Sequence, residues 1–280
     1  MRLYLQCLFM KNDVHFYKMC GTGNDFVIID NRRSIIRSRK KIARAISHRH
    51  TGIGSDGLIL LEKSRRADLR MRIFNADGSE AEMCGNGIRC AAWVAHHIMK
   101  FKKNIKFETI AGLIKVNVKK NIVKAQLSDP VDFRDYAPLE VRDGIFYFYF
   151  INTGVPHCVI FEENIDNFPV NEIGKEIRFH PHFQPFGTNV NFVQIKDKST
   201  IFVRTYERGV EAETLACGTG STASAVVSAL IEKCIPPITV ITKGGEKLTI
   251  YFDISTFSVT NVSLEGTVKY IFEGQFNIRG

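Results

Sequence analysis

Two cysteine loops dominate the sequence because they are nearly copies of each other. Cys84 lies in the segment MCGNG and Cys217 in the segment ACGTG, and each loop runs directly into a stretch of small and apolar residues. The likeness continues upstream, where RIFNADGSEAEMC parallels RTYERGVEAETLAC. Self-similarity at a fixed spacing indicates a duplicated supersecondary unit. The repeat therefore predicts a chain made of two similar halves.

Further segments of the two halves align at an offset of roughly 131 to 136 residues. GTGNDFVII aligns with TGVPHCVIF, TGIGSDGLIL aligns with FGTNVNFVQI, and helix candidates at residues 37–47 and 170–179 align with each other. A turn signal at Ser128, Asp129 and Pro130 separates two strand-like runs. We therefore expect the first half to end at residue 129 and the second to begin at residue 130.

The distribution of strand-like and helix-like segments predicts a mixed α/β fold. Runs of β-branched and aromatic residues alternate with three or four helix candidates. A chain of 280 residues has room for two domains, each with its own core. The predicted strand runs cover residues 26–29, 58–61, 69–74, 107–118, 122–127, 144–151, 191–195, 201–206, 239–242, 248–252 and 258–270.

Composition predicts a cytoplasmic enzyme without a membrane anchor. No run approaches 18 apolar residues, the length of a membrane span. The opening segment MRLYLQCLFM lacks the features of a signal peptide, so we interpret it as a short extension with Met10 as an alternative start. Seven cysteines without CxxC pairing favour a reducing compartment. Outside the two loops we expect inert thiols, namely Cys7, Cys20, Cys90, Cys158 and Cys234.

Other classes of binding site find little support in the sequence. The net charge of +9 is spread over short basic clusters without interleaved aromatic residues, so we expect no nucleic-acid partner and interpret the charge as solvated surface that also suits an anionic substrate. The histidine pairs lack further ligands at zinc-site spacing, so no metal is expected. Gly21 and Gly23 lack the third glycine of a dinucleotide-binding motif, and no phosphate-loop motif is present.

The paired thiol loops point to proton transfer at the α-carbon of an amino acid. Without an electron-sink cofactor, this reaction needs preorganised donors around the substrate carboxylate. A helix N-terminus supplies free amides and a positive dipole end, which bind a carboxylate and lower the pKa of a nearby thiol. We therefore expect Cys84 and Cys217 to be an acid–base pair that acts on opposite faces of one carbon, with thiol pKa values lowered from about 8.5 toward neutrality.

At these residues the chain resembles the diaminopimelate epimerases, cofactor-independent enzymes that interconvert LL- and meso-diaminopimelate in the lysine and peptidoglycan pathway. The resemblance runs from about residue 16 to residue 274 through YKMCGTGNDFVIID, RHTGIGSDG, RIFNADGSEAEMCGNGIRC, PHCVIF, GTNVNFVQI and YERGVEAETLACGTG. It implies two α/β domains with pseudo-twofold symmetry, each a barrel-like mixed sheet around a central helix, and an active site in the cleft between them. It also implies that a C-terminal strand, residues 268–280, joins the N-terminal domain (1–129), leaving 130–267 as the C-terminal domain. The resemblance is also compatible with a homodimer.

The resemblance also assigns roles to individual residues. It makes Cys84 and Cys217 the acid–base pair, with roles that swap with reaction direction, and it makes His157 and Glu207 the residues that tune the two thiols. The reacting carboxylate would be held by the loop amides of Gly85, Asn86, Gly218 and Thr219. The rest of the substrate would be held by Asn24, Asn75, Asn189, Glu207 and Arg208, with Arg208 on the distal carboxylate and Glu207 on the distal ammonium group. The substrate is a small amino acid, and neither cofactor nor metal is implied.

Three positions depart from the family pattern. Gly57 stands where the family usually has glutamine, Val155 where it has asparagine, and Thr219 where it has serine. Because Gly57 and Val155 each remove a polar side chain, we expect the enzyme to be less selective for diaminopimelate and to racemise a smaller acid such as glutamate slowly. Two alternatives stay open, a racemase of another amino acid and a basic nucleic-acid-binding protein on an epimerase scaffold.

Overall fold

The computed structural model describes residues 13–142, 144–255 and 258–277. The predicted N-terminal extension, with Cys7 and Met10, lies outside these ranges. In the first half the elements are β1 (Asp13–Gly21), β2 (Asn24–Asp30), α1 (Arg39–Ser47), β3 (Gly57–Glu62), β4 (Leu69–Asn75), β5 (Glu80–Ala81), α2 (Gly85–His97), β6 (Asn104–Thr109), β7 (Gly112–Lys119) and β8 (Ile122–Gln126).

The second half repeats this order of elements after one additional strand at its start and with a 3₁₀ turn inserted after its first helix. They are β9 (Val131–Val141), β10 (Gly144–Asn152), β11 (Pro156–Phe161), α3 (Val170–Phe179), a 3₁₀ turn (Pro181–Phe183), β12 (Asn189–Asp197), β13 (Thr200–Glu207), β14 (Ala212–Thr214), α4 (Gly218–Leu230), β15 (Ile238–Thr242), β16 (Lys247–Ile254) and β17 (Val259–Asn277).

Strand pairing confirms the predicted mixed sheets and their duplication. In the first half β2 and β3 are parallel, β3 and β4 antiparallel, and β4 and β6 parallel. In the second half β11 and β12, β12 and β13, and β13 and β15 pair in the same senses. The long strand β17 pairs with β16 and β8 and then continues along β1, where Val268 lies opposite Gly21. The C-terminal strand therefore returns to the first half, while the domain limits themselves stay a prediction.

Each half encloses one helix and carries another on its outside. Helix α2 packs against β1, β2, β3, β4, β7, β8 and β17, and helix α4 packs against β10, β11, β12, β13, β15, β16 and β17. Helix α4 has an unbroken buried run from Gly220 to Ala229, as expected for a helix surrounded by sheet on all sides. Helices α1 and α3 bury only one stripe each, for example Val170, Ile173 and Ile177. The predicted fold, a barrel-like sheet around a central helix in each half, is confirmed.

The structure corrects the predicted strand over residues 107–118. The chain turns at Ile110 and Ala111, so this run forms the antiparallel hairpin of β6 and β7. Gly112 adopts φ +121°, a conformation that residues with a side chain rarely adopt, and this permits the turn. Strands β1, β5, β9, β11 and β14 were not predicted.

Candidate active site

The two thiols occupy equivalent positions at the starts of the two central helices. Cys84 is the N-cap of α2, and its Sγ accepts a hydrogen bond from the amide of Gly87 at 3.4 Å. Cys217 is the N-cap of α4, and its Sγ accepts from the amide of Gly220, also at 3.4 Å. A side chain that accepts from the third residue of a helix satisfies one of its free amides. Each thiol is therefore held against the positive end of a helix dipole.

Both helix N-termini open into one cavity between the two halves. Its volume is about 230 Å³. The first half contributes Asn24, Met83, Cys84, Gly85 and Asn86, and the second contributes Val155, Asn189, Glu207, Arg208, Ala216, Cys217, Gly218 and Thr219. The loops are close to each other, since a Cβ atom placed on Gly218 would lie 3.8 Å from Asn86 Oδ1. The structure thus gathers both thiols and most predicted binding residues around a space of small-molecule size.

The thiol pKa values differ from the sequence-based expectation. Burial raises the pKa of Cys84, although the amides of Gly87 and Asn86 and the charge of Arg89 oppose the change. Burial, followed by the nearby Glu207 carboxylate, raises the pKa of Cys217 to about 12. The expected shift toward neutrality is therefore wrong, because loss of hydration outweighs the hydrogen bonds and the Arg89 charge that favour the thiolates.

Glu207 and Arg208 place a carboxyl group and a guanidinium group at the cavity. Glu207 accepts a hydrogen bond from Thr214 Oγ1 at 3.0 Å, and burial raises the pKa of its carboxyl group. The Arg208 guanidinium donates to the carbonyl of Phe186 at 2.8 Å and, within the described ranges, forms no ion pair. Burial, with nearby Arg178, lowers the pKa of Arg208. Arg208 thus keeps donors free for an anionic ligand.

Three asparagines of the cavity wall, Asn24, Asn86 and Asn189, are fixed by their own hydrogen bonds. Asn86 donates through Nδ2 to Asn24 Oδ1 at 2.7 Å, and Asn24 donates to Asp56 Oδ2 at 3.1 Å. Arg49 in turn binds Asp56 at 2.7 Å. On the opposite wall, Asn189 Oδ1 accepts from the backbone amide of Arg208 at 2.9 Å. These contacts preorganise the polar groups that face the cavity.

Two predicted site residues do not line the cavity. Asn75 is exposed and donates to Ser79 Oγ in its own turn at 2.9 Å. His157 is fully buried, and its Nδ1 contacts Asn191 Nδ2 at 3.1 Å. Burial lowers the pKa of His157 to about 3, so the ring is neutral. Substrate binding by Asn75 and thiol tuning by His157 stay predictions.

The structure also corrects the interpretation of Gly57. It does not line the cavity, and a Cβ atom there would lie 2.8 Å from the carbonyl oxygen of Phe74 and 3.6 Å from the ring of Phe26. A side chain would need the backbone to shift, so the glycine follows from packing rather than from a lost substrate contact. Val155, in contrast, does line the cavity.

Sequence reasoning missed several polar residues behind the two thiol loops. They are Thr22, Arg89, Thr153, Asn191 and Thr205. The available signals were an arginine in the otherwise apolar segment IRCAAWVA, and an asparagine two residues after Asn189 on the same face of a strand. In the described part of the chain, no group of three histidine, cysteine, aspartate or glutamate residues is arranged to hold a metal.

Comparison with known proteins agrees with this geometry. The family model described as diaminopimelate epimerase matches residues 16–131 and 149–267. A diaminopimelate epimerase of Aquifex aeolicus is 44% identical over 94% of this chain and 98% of its own length. One of Chlorobaculum tepidum is 39% identical over 93% of this chain and 100% of its own. The chain belongs to the diaminopimelate epimerase family. It is therefore an isomerase, as the sequence predicted, and the racemase and nucleic-acid alternatives are not favoured.

Solved structures support the fold of the diaminopimelate epimerase family. A phenazine biosynthesis protein of the PhzF family from Bacillus anthracis superposes with a TM-score of 0.73, at 19% identity over 96% of this chain and 100% of that one. A hydroxyproline epimerase of Agrobacterium vitis with bound trans-4-hydroxy-L-proline gives a TM-score of 0.65 at 13% identity, covering 96% and 93%. Among the described residues of this family member, no helix has the length and apolar character needed to cross a bilayer.

Proposed function

We propose that this chain interconverts LL- and meso-diaminopimelate by proton transfer between Cys84, the substrate α-carbon and Cys217. The observation that carries the proposal is the convergence of two thiols, each an N-cap of a central helix, on one cavity. Inversion at carbon without a free carbanion needs a base on one face and an acid on the other. Two opposed thiols meet this requirement without pyridoxal phosphate or metal.

The helix N-termini serve the reacting end of the substrate. Gly85, Asn86, Gly218 and Thr219 line the cavity at the two helix N-termini, and backbone amides there suit the α-carboxylate, whose charge increases in the transition state. One thiolate removes the α-proton and becomes a thiol, while the opposite thiol delivers its proton to the other face and becomes a thiolate. One proton enters the substrate carbon and one leaves, so the reaction needs no oxidant or reductant.

The second half serves the distal end of the substrate. Diaminopimelate carries a second ammonium and carboxylate, and Glu207 and Arg208 offer the complementary charges at the cavity. Asn189 fixes the backbone of Arg208 and thereby the place of this pair. The names of the relatives support diaminopimelate as the substrate, and its role in lysine and peptidoglycan synthesis belongs to the same proposal.

Proton NMR of diaminopimelate in D₂O tests this proposal. We expect the α-proton signal to disappear with the wild-type enzyme, and replacement of Cys84 or Cys217 by alanine to slow epimerisation by about 10²–10⁴-fold or more, the usual contribution of a general acid or base. Cys234→Ala is the matched control, because this thiol is buried and lies outside the cavity. The two-thiol mechanism is wrong if either cavity variant keeps more than a few per cent of wild-type turnover.

A further inference from the structure

Arg89 is a fully buried cation beneath the first thiol loop. It lies one helical turn into α2 and has no exposed surface. Within the described residues, no carboxylate lies at ion-pair distance from its guanidinium. Removing an ion from water carries a penalty of several kcal/mol unless the charge is compensated. A buried arginine without a carboxylate therefore calls for another anion.

The hydrogen-bond partners of Arg89 are all neutral oxygens of the site. Nη1 donates to the carbonyl of Gly85 at 3.1 Å, and Nη2 donates to Asn86 Oδ1 at 2.9 Å and to Thr22 Oγ1. Its Nε has no hydrogen-bond partner. Asn86 in turn donates a hydrogen bond to Asn24, so the guanidinium also orients the polar wall of the cavity. These contacts fix the position of the positive charge and leave the charge itself unneutralised.

The second half has no such cation at the corresponding position. Five residues after Cys217, as Arg89 is five after Cys84, stands Thr222. Its hydroxyl donates to the carbonyl of Gly218 at 2.9 Å, the same helical contact that Arg89 makes to Gly85. A hydroxyl is thus sufficient for the structural contact. The positive charge of Arg89 needs a separate explanation.

We propose that Arg89 is the fixed counter-charge of the Cys84 thiolate and offsets part of the cost of burying it, so that Cys84 ionises at a lower pH than Cys217. This inference rests on the proposed two-thiol function. Arg89 acts through Cys84 and the Asn86 loop and is therefore a positioning residue. A turnover that begins with the Cys84 thiolate leaves Cys84 protonated and Cys217 ionised, and proton exchange with solvent then returns the negative charge to the more readily ionised Cys84.

The other charged and titratable groups around the thiols favour the same order. Cys84 is influenced by Arg89 and by the carboxylate of Glu207, and Cys217 by Glu207 and by Cys84. Arg89 itself is also influenced by Cys90 and Glu246. The charge of Arg89 opposes the burial that raises the pKa of Cys84, whereas the Glu207 carboxylate is second only to burial among the causes that raise the pKa of Cys217. The cation thus stands in the first half, and the anion beside the thiol of the second.

The pH dependence of thiol alkylation in the substrate-free enzyme tests the inference. Iodoacetamide reacts with thiolates, and peptide mass mapping separates Cys84 from Cys217, so each gives its own pH midpoint. In the wild-type enzyme we expect the lower midpoint at Cys84. Arg89→Met should raise the Cys84 midpoint by about one pH unit or more, which is a tenfold loss of thiolate. Arg89→Lys should retain most of the effect, and Thr222→Val should leave the Cys84 midpoint unchanged.

Two results would overturn the role of Arg89. One is a lower midpoint at Cys217 than at Cys84 in the wild-type protein, which decides the matter even if Arg89→Met does not fold. The other is an unchanged Cys84 midpoint in Arg89→Met that keeps the wild-type circular dichroism spectrum. Alkylation needs no substrate, so the NMR assay tests the proposed function independently. Absence of diaminopimelate exchange would count against that function, while the midpoints would still decide the role of Arg89.

Discussion

The two halves hold their thiols in the same way but support them with different chemistry. Gly87 and Gly220 each donate to their thiol at 3.4 Å. Behind Gly87 lie the side-chain ends of Ile59 and Ile73, each 3.1 Å from the place of an added Cβ. Behind Gly220 lies Asn191 Oδ1, only 2.3 Å from that place. The first helix start therefore packs on hydrocarbon and the second on a polar network.

The polar network joins β11, β12 and β13 beneath the second loop. Asn191 donates to the carbonyl of Cys158 at 3.0 Å and contacts His157, and its Oδ1 accepts from Thr205 Oγ1 at 3.0 Å. All these groups are buried. A buried polar network holds one geometry when its bonds are made and is costly when they are broken. The two halves therefore share the thiol cap but differ in what supports it.

Alanine at the two equivalent glycines should give the largest contrast between the halves. Gly220→Ala forces a methyl group into Asn191 Oδ1 and breaks buried hydrogen bonds, so we expect roughly 1–3 kcal/mol of destabilisation from overpacking and a strong loss of turnover. Gly87→Ala meets only the ends of two isoleucine side chains, which can shift, and alanine favours the helix. Urea unfolding of both variants measures the difference. Equal urea midpoints for the two variants would show that the polar network behind Gly220 tolerates a methyl group as well as the isoleucine side chains behind Gly87 do.

The next largest effect should be the pH dependence of stability, because the second half contains the buried histidine His157. His157 has a pKa lowered to about 3 by burial, against 6.5 in the unfolded chain. Between these values the unfolded state binds one proton more, so the free energy of unfolding rises with pH and falls on acidification by up to about 1.4 kcal/mol per pH unit. Urea unfolding of wild type and His157→Gln from pH 6.5 to pH 4.5 checks this. The variant should show the shallower slope, and parallel curves would contradict a neutral buried imidazole.

Much of the fold could be predicted because its signals are local. Alternating apolar residues marked strands such as β3, and the repeated loops marked the starts of α2 and α4. The turn within residues 107–118 was missed because Thr109 and Gly112 close it through tertiary register and one special φ value rather than a strong turn motif. Local pattern therefore gave the elements, and long-range pairing decided where some of them end.

The site could be predicted only where chemistry and loop pattern coincide. The paired thiols have such a pattern, and the structure places both in one cavity. The thiol pKa direction was wrong because burial depends on the packing of both halves, which no local segment contains. Arg89 and Asn191 were missed for a similar reason, since their partners Thr22 and His157 are distant in sequence and meet them only after folding.

Val155→Asn should leave the stability of the fold unchanged and act only on substrate selection, through an amide added on the second half's side of the cavity. Val155 lies between β10 and β11 and lines the cavity. A hydrogen bond to a charged group contributes roughly 1.5–3 kcal/mol, so a restored amide that reaches the distal end of the substrate should raise kcat/KM for diaminopimelate about ten- to a hundredfold relative to glutamate. Steady-state kinetics on both acids measures the ratio, with Val155→Thr as a control of similar volume. If the ratio stays at the wild-type value in Val155→Asn, the valine is neutral for specificity and Glu207 and Arg208 are sufficient to select the distal end.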